Sequence, residues 1–192
     1  IQTSVELARE ALELNPENGT AHGILAMAYG LITEDFGVDR RPSYEEYARR
    51  ARDVGMENEL LAAARALMTP GDDALAEALR RSPESSDIRM VKVRRLLHKG
   101  EIEAALDLIH SIEEGTGRRM DVVDLEIRAF LALGKVEAGQ TLIEEALKLD
   151  PGHDQLLIER GRVLLQQRKL RPLQDVVQLL LKGRDNRSTG QQ

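Results

Sequence analysis

At 192 residues, 42% of them hydrophobic and 31% charged, the chain can bury a genuine core and does not read as disordered. Its formal charge of -6 and pI near 5.4 exclude a general binder of nucleic acid or of anionic membranes, because either role needs a basic face. The lack of cysteine excludes disulfides, thiolate metal ligands and cysteine nucleophiles.

Aromatic residues are only 3% and Trp is absent, while Ala, Leu, Glu and Arg recur, so an all-α chain is expected, of eleven helices. Residues 3–14 (TSVELAREALEL) read as the first helix. Thr3 and Glu6 have the spacing of a capping box, Val5, Ala8, Ala11 and Leu12 share one face, and Asn15-Pro16 ends it. Residues 19–58 follow, with an extra segment at Glu34 to Pro42 before a helix that is expected to start at Ser43 and close its cap on Glu46. Four of the five aromatic residues lie around that segment. Tyr29 and Tyr44 are expected in the core between paired helices; Phe36 is placed in the inserted loop, either as an exposed interface anchor or as a plug for the widened unit. Residues 59–85 form a short stretch turning at Pro70-Gly71, so both of its helices must be short.

From residue 86 the pattern becomes regular, with units at 86–119, 120–153 and 154–183. Columns recur at intervals of 34: Leu96, Phe130 and Leu164; Leu97, Leu131 and Leu165; Ile102, Val136 and Leu170; Ile109, Ile143 and Val177. Gly100 and Gly134 mark the turn between helices, where positive φ is favoured, and Arg168 takes their place in the last unit. Leu179 to Leu181 leave an apolar edge, and residues 184–192 read as a disordered polar tail. The same ending, Ala-Leu followed by Pro, returns at Pro16, Pro83 and Pro151, close to multiples of that period.

A period of 34 built from helix, turn and helix resembles the tetratricopeptide repeat family over nearly the whole chain. The resemblance rests on Gly161, Phe130 and Tyr29 in first helices, on the turn glycines, on Ala105 in a second helix and on the Ala-to-Pro ending; Lys92, Glu126 and Arg160 depart from it in a column usually leucine. It implies a right-handed α-α superhelix of antiparallel helix pairs, a single solenoid over 1–183 whose residues 1–18 are the second helix of an incomplete unit. The chain opens on Ile1 and reads as an excised piece with no visible signal peptide or membrane span; a cytoplasmic location is expected, the periplasm being the alternative.

The resemblance also implies a non-catalytic scaffold for a protein or peptide partner, with the first helices lining a concave groove. It places Arg94, Arg128 and Arg162 there, one repeat apart, with Arg95 and His98 nearby. A guanidinium fork suits an acidic segment or a free C-terminal carboxylate. The competing reading is structural, because Asp124 and Glu159 sit at ion-pairing spacings from Arg128 and Arg162, while Arg94 has Met90 and Val91 at those places and only Asp121 of the next unit within prospect. Members that grip chaperone C-termini use a lysine and asparagine clamp that is absent here. Other readings are a regulatory domain of a larger enzyme, transcription regulator or secretion or motility complex, and self-assembly into a homo-oligomer through the terminal units.

No catalytic set, cofactor motif or metal site is expected. His22, His98, His110 and His153 fall on four units without paired spacing and read as surface or turn residues. Glu113-Glu114 and Glu144-Glu145 read as solvated faces, and Gly115-Thr116-Gly117 has no strand before it to make a phosphate loop.

Overall fold

The computed structural model describes residues 2–188, with the side chains of residues 2, 3, 36 and 182–188 left aside; these residues contain no strand and form eleven helices. They are α1 (Gln2–Leu14), α2 (Gly19–Phe36), α3 (Arg41–Asp53), α4 (Glu59–Met68), α5 (Asp73–Arg81), α6 (Ser86–Lys99), α7 (Ile102–Thr116), α8 (Met120–Ala132), α9 (Val136–Leu149), α10 (Asp154–Gln166) and α11 (Leu170–Ser188). The chain divides into two compact units, residues 1–92 and 93–192, with the division inside α6.

In the first unit α2 is the central element. Ala21, Leu25 and Tyr29 meet Ala8 of α1, and Ala26 meets Ala48 and Ala51 of α3 and Leu61 and Ala64 of α4. Alanine at so many of these positions lets helix axes approach closely, so the core is built from backbone proximity more than from large side chains. The segment from Glu34 to Pro42 is mostly not a loop. Helix α2 continues to Phe36 and ends on Gly37, whose φ of +64° and N–H bond to the Thr33 carbonyl at 3.1 Å close it. Phe36 is thus the last residue of a helix, and its side chain lies outside those described.

Both expected capping boxes are corrected. Helix α3 starts two residues before Ser43, with Pro42 in its first turn, where a missing N–H costs nothing. Arg40 occupies the cap position without a side-chain bond, Thr33 Oγ1 accepts the Arg40 N–H at 3.0 Å, and Glu46 pairs with Arg50 at 2.6 Å instead of capping. Likewise Thr3 already lies inside α1. Helices α4 and α5 are short, at 10 and 9 residues, as the turn at Pro70-Gly71 requires.

The second unit repeats one turn geometry. Gly100 and Gly134, at φ +77° and +72°, donate to Leu97 and Leu131, while the next residues, Glu101 and Lys135, donate to Leu96 and Phe130. That paired bonding stops a helix and satisfies its last carbonyls. Arg168 reproduces it without glycine: its φ is +57°, its N–H reaches Leu165 and that of Lys169 reaches Leu164. The hydrogen-bonding demand of the turn has outweighed the steric cost of a Cβ there.

Packing then joins α8 to α11. Ile127, Ile143, Leu156, Leu157, Val163 and Val176 form one buried cluster. Gly139 in α9 is a close-approach position: a Cβ there would stand 2.9 Å from Leu131 Cδ2. Three of the four repeat columns lose their cover in the last unit, while the column of Leu96 and Phe130 ends on a buried Leu164. Ile109 and Ile143 are 0% exposed, but Val177 is 46% exposed and Val176 is buried in its stead; Leu165 and Leu170 are similarly exposed. No helix follows α11 among the described residues to cover that side. Helix α11 itself continues to Ser188, past residue 183 where the polar tail was expected to begin, since no proline interrupts Arg184 to Ser188.

Candidate functional site

Two of the three column arginines are brought together, by a residue that was expected to serve only one of them. Glu159 of α10 is 2% exposed and lies 2.8 Å from Arg162, three residues on in the same helix. It also reaches Arg128 of α8, at 4.0 Å, and Arg128 in turn pairs with Asp124 at 2.9 Å. Asp124, Arg128, Glu159 and Arg162 therefore form one chain of alternating charge, formally neutral, that ties α8 to α10. Burial pushes the Glu159 carboxyl above the usual glutamate range, although the guanidinium groups of Arg162 and Arg128 pull it down. Gln155 donates a further bond to it at 3.3 Å.

The two arginines differ in what remains available. Arg128 has a side chain only 23% exposed, whereas that of Arg162 is 60% exposed and spends one N–H, on NH1, on Glu159. Arg94 is half-buried on α6, and His98 is exposed near the end of that helix. Asp121 receives both Nε and NH2 of Arg119 at 3.1 and 2.6 Å.

Burial of Asp124 and Glu159 had a signal in the sequence. Met120, Val123, Asp124, Ile127 and Leu131 follow the spacing of one helix face, and Glu159 stands between Leu156 and Val163 on another. A carboxylate on an apolar stripe needs a cation, and Arg128 supplies both. Glu126, one of the departures from the repeat pattern, is also buried, and Arg118 bridges it at 3.2 Å to Glu113 of α7 at 3.1 Å. Glu113 is accordingly drawn into a bridge and is not a plainly solvated residue, while Glu144 and Glu145 are exposed.

One histidine corrects the surface reading. His22 is 3% exposed, and its Nε2 donates to the Pro16 carbonyl at 2.8 Å, which holds the turn after α1. Its ring lies against Tyr47, which stacks on Tyr29 at 5.6 Å, and Arg9 donates to the Tyr29 hydroxyl at 2.8 Å. His22 shares a face with Ala26 and Tyr29, four and seven residues on, so its burial was also readable. His98 and His110 are exposed, and His153 caps α10 by accepting the Leu156 N–H.

A family model described as tetratricopeptide repeat matches residues 125–170, from α8 into the start of α11. Among solved structures, yeast Tom70 is similar with a TM-score of 0.52 and 18% identity, over 94% of this chain and 39% of that protein, so this chain spans about two fifths of its length. A mutant of MamA is similar with a TM-score of 0.44 and 14% identity, over 88% of this chain and 99% of that one. No curated protein matches the sequence. Among the described residues no helix is long and apolar enough to cross a membrane. The succession of helix pairs and the recurring turn make this chain a helical-repeat protein, and its residues 125–170 match a tetratricopeptide repeat.

Proposed function

We propose that the chain is a non-catalytic scaffold that holds an acidic peptide segment of a partner protein against the face carrying Arg94, His98 and Arg162. Tetratricopeptide repeats generally mediate protein–protein interaction, and the carrying observation is Arg162. A guanidinium has five N–H donors in a planar fork, and one of Arg162's is engaged while the side chain stays 60% exposed. Arg128 acts beside it as a brace, fixing Glu159 so that Arg162 projects with one edge satisfied. Testing uses fluorescence anisotropy with short labelled peptides of graded acidity. The wild-type chain should select the acidic ones, and Arg94→Glu with Arg162→Glu should weaken them about tenfold, with circular dichroism unchanged. Equal affinity in the double variant sinks the assignment.

A second reading is favoured by the uncovered last unit. Leu165, Leu170, Val177 and Leu181 are 60%, 63%, 46% and 53% exposed, more apolar surface than a lone helix end ordinarily shows. Self-association through it would raise the mass seen by light scattering with concentration, and Val177→Glu should return it to the monomer; a monomer at every concentration rejects this reading.

A further inference from the structure

Two helices carry leucines that their own packing leaves in solvent. On α1, Val5, Ala8 and Leu12 pack with Leu25 and Tyr29 of α2, while Leu7 and Leu14, seven residues apart on the opposite face, are 61% and 90% exposed. The other helix is α11, where Leu170, Val177 and Leu181 share one exposed face and Leu165 stands just before the turn that leads into it. A few exposed leucines are ordinary surface; what distinguishes these two strips is the charge around them.

Their rims are opposite in sign. Glu10 lies between Leu7 and Leu14, three residues from one and four from the other, and Glu13 and Glu17 flank them; all three are exposed. The single cation of α1, Arg9, donates to the Tyr29 hydroxyl. Around the other strip Arg168, Lys169 and Arg171 are all exposed, and no carboxylate occurs from residue 161 to 174. Two α11 strips face to face would bring the same cations together, whereas α1 against α11 sets glutamates opposite them.

Arg168 is an independent observation. It holds φ +57° where Gly100 and Gly134 serve the equivalent turns, so a side chain is kept at a position that glycine fills without strain. Its backbone bonds match those of the two glycines and so do not account for arginine there. What the side chain adds is an exposed cation between Leu165 and Leu170.

We propose that the chain assembles head to tail, the acidic face of α1 in one copy docking on the basic-rimmed apolar face of α11 in the next. This rests on the self-association reading above and names both surfaces. The leucines of the two strips cover each other, and Glu10 and Glu13 meet Arg168, Lys169 and Arg171. Such an interface is heterologous, so a pair still has one free face of each kind and growth continues past the dimer.

Sedimentation velocity of the full chain over a range of concentrations tests it, with two charge reversals at exposed positions: Glu10→Lys with Glu13→Lys on α1, and Lys169→Glu with Arg171→Glu on α11. The wild type should grow past the dimer. Either reversed chain alone should associate about tenfold more weakly, and an equimolar mixture of the two should recover assembly, since each altered face then meets an altered complement. Arg168→Gly should raise the urea midpoint yet weaken assembly about threefold, a combination that a purely structural arginine does not produce. Undiminished assembly of the α1 reversal, with Val177→Glu monomeric, overturns this pairing and leaves self-association through α11 alone. A mixture no larger than its components overturns the pairing as well. A wild type that is monomeric at every concentration rejects the underlying reading together with it.

Discussion

Replacing Leu156 by alanine is expected to lower the unfolding free energy by about 3 kcal/mol, because a fully buried leucine loses both its transfer energy and its cavity. Leu156 is 0% exposed and sits in α10 within the cluster that includes Ile127 of α8, Ile143 of α9 and Val176 of α11. Its neighbours are poorly placed to collapse into the space, since α8 and α9 are already at closest approach at Gly139. The control is Leu165→Ala, from the same helix but 60% exposed, which should cost no more than about 0.5 kcal/mol. Urea unfolding followed by circular dichroism separates them. In a stack of nearest-neighbour interfaces the loss should also be local, so amide exchange ought to accelerate most in α10 and α11. Equal midpoints for the two variants would mean that the cluster does not carry the second unit.

Sequence periodicity located the turns of the second half because each is a hydrogen-bonding device with a residue signature. Gly100 and Gly134 announce it, and even Arg168, which breaks the signature, obeys the same bonding. Where local rules compete, the pattern misled. Ser43 and Glu46 look like a helix start, but Pro42 is equally suited to a first turn and lies one residue earlier, so the helix begins before the supposed cap. Phe36 reads as a loop residue because the segment is longer than a repeat needs; the extra residues are absorbed mainly by lengthening α2 to 18 residues. The column readings failed at Leu165, Leu170 and Val177 for another reason. Periodicity reports which face a residue occupies, whereas burial requires a neighbour on that face. The arginine site was half legible for a similar reason. Spacing along one helix revealed Asp124 with Arg128 and Glu159 with Arg162, but the link from Glu159 to Arg128 joins two helices, and no spacing within a helix encodes it.

That cross-helix link carries the second large effect. Arg128→Met keeps the apolar stem of the side chain but removes the cation shared by Asp124 and Glu159, which are 6% and 2% exposed. Leaving buried carboxylates without it should cost about 2–4 kcal/mol near neutral pH, less than a fully buried pair would lose because Arg162 still contacts Glu159. The pH dependence has a definite sign. Glu159 is raised above the ordinary glutamate value of about 4.3 by burial, and Arg128 is one of the groups that pull it down, so removing Arg128 raises it further. A carboxyl raised in the folded state binds its proton more tightly there than when unfolded. Its ionisation penalty is absent below the unfolded value and develops as pH rises through the folded value. The gap between wild type and Arg128→Met should therefore narrow as pH falls from neutral into that window. Adding Glu159→Gln to Arg128→Met removes the orphaned charge and should recover at least about 1 kcal/mol, with a shallower pH dependence. Urea midpoints of the three proteins at neutral and mildly acid pH measure both quantities. A gap that does not change with pH, together with no recovery in the double variant, would show that Arg128 does not brace the two helices and would return it to the candidate ligand contacts beside Arg162.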